Sequence, residues 1–172
     1  MKIQNQENKL TVLIPHYNDK EGLEKSLISI EEEIPLDILI VDDGSDGAHK
    51  FEEAHLNQIC KPNLKLNFLY LSQNQGIERA LNEGLQFIKK NGFKFIARLD
   101  CGDKCVPNRL ETQLAYLEAN PEVMLLGTQV KHVDDSGNFL FFSNVHTDYE
   151  NIKKNFYVSC QIIHPTVIFR TE

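Results

Sequence analysis

Short apolar runs alternate, over the first part of the chain, with longer stretches in which apolar residues recur every three or four positions. Runs of the first kind predict strands and stretches of the second kind predict amphipathic helices. Glu31-Glu32-Glu33 is then interpreted as the solvated end of the first helix, and Gly92 as the stop of the third. The predicted strands are 10–15, 36–41, 65–71 and 93–99, and the helices between them are 21–33, 45–59 and 76–91.

This alternation of strand and helix predicts the fold class. Parallel strands joined by helical crossovers form a sheet that is covered on both faces. The predicted strand at 36–41 is nearly all apolar, as expected for a strand buried on both faces. We therefore expect an α/β protein, a three-layer α/β/α sandwich with a mainly parallel sheet.

After residue 106 the pattern changes to one helix followed by short β-rich runs. The turn signal at 134–138 favours a hairpin between the runs on either side of it. Pro165 interrupts the last run and favours an edge strand or a bulge. We expect one domain in two parts, 1–106 and 107–172, the second with a small mixed β region. The elements predicted there are a helix at 107–118, strands at 123–132 and 139–142, a helix at 148–157 and a strand at 162–170.

Composition and charge narrow the class of protein. The 172 residues suit one domain, and no apolar run approaches the ~20 residues of a membrane span. Residues 1–9 lack the apolar core of a signal peptide, so we expect a cytoplasmic protein. A formal net charge of −7 argues against a nucleic-acid partner. The four cysteines lack the spacing of a structural zinc site, and we interpret them as small apolar residues.

Two acidic clusters follow predicted strands and carry the candidate chemistry. They are Asp42-Asp43-Gly44-Ser45 and Asp100-Cys101-Gly102-Asp103. The carboxyl ends of parallel strands open into one crevice, which is where such sheets bind ligands. Carboxylates gathered there repel one another unless a cation or a hydrogen-bonding ligand lies among them. The clusters therefore indicate a divalent metal and a phosphate-bearing, nucleotide-like ligand, with plain turn and helix-capping chemistry as the alternative.

Five segments in a fixed order resemble a known family. They are LTVLIPHYND, DILIVDDGSDG, NQGIERALNEGL, FIARLDCGDKCVPNRLETQ and HPTVIFR. In this order they resemble the family 2 glycosyltransferases, which have the Rossmann-like GT-A fold, over about Leu10 to Arg170. The resemblance implies transfer of a sugar from a nucleotide-diphosphate sugar to an acceptor hydroxyl, usually with inversion. It also implies a glycan or glycolipid acceptor, a role in surface polysaccharide or lipopolysaccharide synthesis, and is compatible with peripheral association at the inner face of a membrane.

The resemblance also implies roles for single residues in donor binding. Asp43 is expected to bind the base, Asp42 to shape the same strand end, and Asp100 to face the ribose or the metal. Three further residues are expected to line the base pocket, with the tyrosine as a stacking surface: Pro15, Tyr17 and Asn18.

Cationic and backbone groups are candidates to receive the diphosphate. Arg79 and Arg98 could offset its charge, because guanidinium groups match phosphate geometry. Surface ion pairing is the alternative for both. The helix that begins near Gly76 could direct backbone N–H groups towards the donor, or the segment could be an ordinary turn between strand and helix.

The family usually uses Mg²⁺ or Mn²⁺ held by an Asp-x-Asp motif, and this chain departs from that motif. Gly102 stands where the principal metal ligand is expected, and it offers no side-chain oxygen. A metal would then depend on Asp100, Asp103, diphosphate oxygens and water, which suits Mg²⁺ because it commonly keeps several waters. The alternative consequence of Gly102 is that the protein binds its donor without a metal or binds the metal weakly.

No residue of the chain is a convincing catalytic base, which an inverting transfer needs to accept the acceptor proton. The family's base usually lies beyond the HPTVIFR segment, so we expect a C-terminally truncated chain that holds the donor-binding half. A nucleotidyltransferase is one alternative, although the Gly-rich phosphate loop with a basic residue is not present after the first strand. The other is a non-catalytic nucleotide-sugar-binding or receiver-like module. Receivers, however, place their acidic pair after the first strand rather than the second.

Overall fold

The structure, a computed structural model, describes residues 10–171. Its strands are β1 (Leu10–His16), β2 (Leu36–Asp42), β3 (Leu64–Tyr70), β4 (Phe95–Arg98), β5 (Leu125–Leu126), β6 (Lys131–Val133), β7 (Phe139–Phe142) and β8 (Ile168–Arg170). Its α-helices are α1 (Lys20–Ile28), α2 (Glu53–Ile59), α3 (Ile77–Asn91), α4 (Arg109–Ala119) and α5 (Tyr149–Asn155), with a short 3₁₀ turn at His164–Thr166. No helix within residues 10–171 is both long and apolar enough to cross a membrane.

Six strands form one sheet in the order β3-β2-β1-β4-β8-β5. The first four are parallel, and β8 runs antiparallel to both of its neighbours. The chain builds outwards from β1 through β2 to β3 and then places β4 on the other side of β1. The strand order therefore reverses beside β1, and this is the point at which open α/β sheets form a ligand crevice.

The two faces of the sheet bury two separate cores. Ile14 packs with Leu27 and Leu56, so α1 and α2 cover one face together with α4. Leu13, the neighbour of Ile14, packs with residues of α3 on the opposite face. Gly84 of α3 lies so close to the sheet that a Cβ there would approach Leu13 Cδ1 to 2.5 Å. This confirms the predicted three-layer α/β fold with a mainly parallel sheet.

The first helix is shorter than predicted, because the residues after it serve another helix. It ends at Ile28 rather than at residue 33. Glu32 is fully buried, and its carboxylate accepts hydrogen bonds from the backbone N–H groups of Leu110 (2.9 Å) and Glu111 (3.1 Å). Glu111 in return accepts from the N–H of Glu33 at 2.6 Å. The interpretation of Glu32 as part of a solvated helix end was wrong, since it satisfies donors at the start of α4.

Other element boundaries also differ from the prediction. The second helix begins at Glu53 rather than at residue 45, because the preceding residues bond to the loop after β1 and Phe51 is buried. The strand predicted at 123–132 is divided between β5 and β6. Pro165 lies in the 3₁₀ turn before β8, so it breaks no ladder. β8 itself lies between β4 and β5, which corrects the expectation of an edge strand or a bulge.

β6 and β7 form a separate two-stranded sheet, which we call the hairpin (residues 131–142). The predicted turn is present, with the Gly137 N–H donating to Asp134 O at 2.9 Å and a Gly137 φ of +84°. All four residues of β7 are exposed, among them Phe141 at 55% and Phe142 at 63%. The hairpin was predicted correctly, but it lies outside both cores.

Candidate functional site

The loop after β1 is fastened to the loop after β2. Asn18 has a φ of +51°, and its backbone N–H donates to Ser45 Oγ at 2.9 Å. The Asp46 N–H donates to Asn18 Oδ1 at 3.0 Å. Tyr17, between these anchored residues and the buried Pro15, keeps 48% of its surface exposed. The tyrosine ring is therefore accessible on a loop whose backbone is held in place.

The two carboxylates after β2 have separate partners. Asp42 is buried and accepts from the Ser45 N–H at 3.2 Å, with His16 Nδ1 also 3.2 Å from its Oδ1. Asp43 is buried as well, and its two oxygens accept from the N–H groups of Gln75 (2.9 Å) and Gly76 (2.8 Å). Asp43 thus joins the end of β2 to the start of α3. The Gly76 N–H that sequence reasoning directed towards the donor is already bonded to Asp43.

On the other side of β1, Arg98 lies at the end of β4 with only 6% of its surface exposed. Its Nη2 donates to Asp100 Oδ1. Arg98 therefore forms an ion pair with Asp100, and the Asp100 side chain remains about one-third exposed. Arg79, the other candidate cation, is exposed and pairs with Glu83 one helical turn later at 2.7 Å. A surface ion pair of this kind contributes little to stability and leaves the guanidinium accessible.

The segment from Asp100 to Asp103 is a tight turn fixed by a serine of α1. Asp103 N–H donates to Asp100 O at 3.1 Å, and Gly102 N–H donates to Ser26 Oγ at 2.9 Å. Ser26 Oγ in turn donates to Asp103 O at 2.8 Å. Gly102 has a φ of +94°, a conformation that residues with a Cβ rarely adopt. Glycine at this position is explained by the backbone of the turn.

The electrostatics of this turn bear on metal binding. Partial burial raises the pKa of Asp103, and the negative charge of Asp100 raises it further. The negative charge of one carboxylate beside the other favours a cation at this turn. Among residues 10–171 there is no group of three or more Asp, Glu, His or Cys side chains arranged to hold a metal. The donor set therefore fits a divalent cation only where a ligand such as a diphosphate supplies further oxygens.

Several residues that organise the site were missed by sequence reasoning. Asp19 caps α1 through the Gly22 N–H at 2.9 Å, and its Oδ2 lies 3.7 Å from Cys101 Sγ. Arg109 is buried and donates to Arg98 O at 2.9 Å and to Pro165 O at 3.0 Å. The Asp19 cap has a sequence signal, an Asp just before a helical pattern. The roles of Ser26 and Arg109 depend on contacts with residues far along the chain.

The candidate residues lie around the carboxyl end of β1. Tyr17 follows β1 itself, Asp43 follows the neighbouring β2, and Asp100 and Asp103 follow β4 on the other side. A depression of about 280 Å³ lies at the start of α1. Six residues line this depression: Asn18, Asp19, Lys20, Glu21, Ala48 and His49. Most of the sequence-predicted residues therefore lie at the ends of adjacent strands, whereas Gly76 and Arg79 lie at the start of α3. Their contacts with a donor stay predictions.

This fold matches a known class of proteins. The chain belongs to glycosyl transferase family 2, whose family model matches residues 11–171. The amylovoran biosynthesis glycosyltransferase AmsE of Erwinia amylovora is 35% identical over 133 residues, covering 74% of this chain and 47% of that protein. An uncharacterized glycosyltransferase of Haemophilus influenzae is 35% identical over 111 residues, covering 62% of this chain and 39% of that protein. The family indicated by the five ordered segments is thereby confirmed.

Solved structures share the GT-A-type fold. A mannosyltransferase of Pyrobaculum calidifontis, in complex with GDP-Man and Mn²⁺, has a TM-score of 0.61 at 23% identity, over 72% of this chain and 36% of that one. S. aureus TarS 1–349, in complex with UDP-GlcNAc, has a TM-score of 0.67 at 20% identity, over 95% of this chain and 45% of that one. At these identities the likeness shows the fold alone. This chain spans less than half the length of each of these four proteins.

Proposed function

We propose that the chain is the donor-binding part of an inverting glycosyltransferase that takes a sugar from a nucleotide-diphosphate sugar. The observation that carries the proposal is the convergence of Tyr17, Asp43 and Asp100 on the carboxyl ends of adjacent strands at the reversal of strand order. An exposed aromatic ring offers a stacking surface, and carboxylates accept hydrogen bonds from a base and from ribose hydroxyls. The family membership and the nucleotide-sugar complexes of proteins with the same fold support this reading.

The carboxylates of Asp100 and Asp103 are the proposed ligands of Mg²⁺ or Mn²⁺. When bound, such an ion would neutralise charge on the departing nucleoside diphosphate. The contribution of the protein itself is positional. Arg98 fixes one oxygen of Asp100, Ser26 fixes the turn that carries Asp103, and Asp43 fixes the start of α3 next to Arg79. The exposed guanidinium of Arg79 is the proposed cation for the diphosphate.

The acceptor and pathway belong to the same proposal. A glycan or glycolipid acceptor and a role in cell-envelope polysaccharide synthesis are supported by the name of the Erwinia relative, an amylovoran biosynthesis enzyme. We place the activity in the cytoplasm, with peripheral association at the inner membrane face. Transfer to such an acceptor is a property to be tested on the full-length protein.

The first experiment is calorimetric titration of the full-length protein with UDP, GDP and their sugar conjugates, in Mn²⁺ and in EDTA. We expect one nucleotide family to bind, and to bind more tightly in Mn²⁺. Asp100→Asn should weaken binding at least tenfold, about the loss of one hydrogen bond to a charged group. Asp135→Asn, a like change at an exposed hairpin position, should have no effect. Absence of binding by every nucleotide and conjugate would contradict the proposal.

A further inference from the structure

His16 lies between Pro15 and Tyr17, and its side chain is fully buried. Its Nδ1 is 3.2 Å from Asp42 Oδ1 and 3.3 Å from Ser45 Oγ. The edge of the ring meets the ring of Phe51, with centroids 5.2 Å apart. Its Nε2 is buried and has no hydrogen-bond partner among the described residues. The imidazole therefore forms hydrogen bonds through Nδ1 only. It lies next to the residues proposed to hold the base.

The surrounding hydrogen bonds determine which nitrogen carries the proton. Asp42 as a carboxylate can only accept, so it needs a donor at His16 Nδ1. The other tautomer would place two acceptors 3.2 Å apart and would bury an unpaired N–H at Nε2. The network thus assigns a proton to Nδ1.

The contacts of His16 extend to the pocket through Ser45. Ser45 donates its N–H to Asp42 and accepts the Asn18 N–H at its hydroxyl, at 3.2 and 2.9 Å. Asn18 accepts the Asp46 N–H in turn, at 3.0 Å. We propose that His16 is a positioning residue for the nucleotide pocket. It holds Asp42 and Ser45 so that the Tyr17–Asn18 loop is already in its binding shape before the donor arrives. This inference rests on the proposed function.

Preorganisation of this kind acts on affinity rather than on chemistry. A buried residue beneath the pocket touches neither the sugar nor the departing diphosphate. Its loss adds the cost of ordering the loop to every binding event. Variants should therefore raise the KM for donor and leave kcat at saturating donor unchanged.

The test replaces each of the two ring nitrogens of His16 separately with an amide nitrogen. In His16→Asn the amide N–H can stand where Nδ1 stands, whereas in His16→Gln the amide reaches the position of Nε2. We expect His16→Asn to bind nucleotide within about threefold of the wild-type affinity, and His16→Gln to bind about tenfold more weakly, the size of one lost hydrogen bond to a charged group. His146→Asn, at an exposed position, is the matched control. Equal affinities in all variants, or rescue by Gln rather than Asn, would overturn the inference.

A second measurement separates this inference from the proposed function. Amide hydrogen exchange without any ligand reports directly on the Asn18 and Asp46 N–H groups. We expect faster exchange at both amides in His16→Gln and near wild-type exchange in His16→Asn. If that pattern holds while the wild-type protein binds no nucleotide, the positioning role stands and the proposed function fails. If the wild-type protein binds nucleotide and exchange is the same in all variants, the positioning role fails alone.

Discussion

Two regions of the described chain, residues 10–119 and residues 127–163, use their apolar residues in opposite ways. In the first, strand and helix residues such as Leu13, Ile14 and Leu23 are fully buried in the two cores. In the second, aromatic residues are exposed, from 51% at Phe139 to 95% at Tyr157. The difference follows from the sheets: one is covered on both faces, whereas the hairpin is a two-stranded ribbon, which is at best marginally stable by itself.

This contrast bears on where precise geometry is available. All residues proposed to contact the donor lie within residues 10–119, on loops that follow buried strands or, for Arg79, on α3. A rigid scaffold with catalytic groups on short anchored loops is the usual way to hold a binding site in shape. The exposed aromatics of residues 127–163 add little to that scaffold.

The largest expected effect tests the contrast in packing. Leu13→Ala empties a fully buried site under α3, so we expect it to lower the free energy of unfolding by about 2–5 kcal/mol. Phe141→Ala removes a larger side chain that is 55% exposed, and we expect a loss of less than about 1 kcal/mol. Urea unfolding of both variants measures the difference. A Phe141→Ala loss as large as that of Leu13→Ala would mean that the hairpin is packed in solution.

An intermediate effect is expected at Glu32. Glu32→Ala removes the acceptor of two N–H groups of α4, so we expect a loss of about 1–3 kcal/mol, the cost of leaving buried donors unpaired. Glu31→Ala is the control, since Glu31 is exposed one residue away. Thermal unfolding should separate the two variants clearly. Equal melting temperatures would show that the α4 donors find water or another partner.

The smallest expected effect is a difference in the alkylation rates of the four cysteines. Burial raises the pKa of Cys60 to about 11 and that of Cys101 to about 12, and it also raises the pKa of Cys105. The thiolate is the reactive species, so these three thiols should react slowly at pH 7–8 and faster as pH rises towards those values. Cys160, exposed in the second segment, should be alkylated first by iodoacetamide. Mass spectrometry after timed quenching gives the order in which the four cysteines are alkylated. Labelling of Cys101 before Cys160 would contradict the difference in burial between the two regions.

The features that sequence reasoning predicted correctly are those encoded locally. The apolar runs of β1 and β2 determine which residues are buried, and Gly92 ends α3 with the expected left-handed φ of +76°. The two acidic clusters follow β2 and β4, which flank β1 and are parallel to it, so both lie at the same edge of the sheet. Glu32 was misinterpreted because its partners lie 78 and 79 residues away. Three glutamates in a row carry no sign that one of them turns inward.

The site was predicted less completely than the fold for the same reason. Asp43 was identified from its place after β2, but its bonds to the start of α3 require that β2 and α3 be packed together. Ser26 and Arg109 hold the site from helices whose sequence patterns show only amphipathic spacing. Long-range hydrogen bonds between polar groups leave no periodic signal, and this is the part of the site that the structure adds.

The backbone of Gly102 has a consequence for protein engineering. A designer who wished to give this loop a third carboxylate could not do so by one substitution, because an aspartate at φ +94° would be strained. The bond from its N–H to Ser26 at 2.9 Å holds the turn in that shape. A change at Ser26 that frees the turn would have to come first. A carboxylate at position 102 therefore requires two substitutions, the first at Ser26 and the second at Gly102.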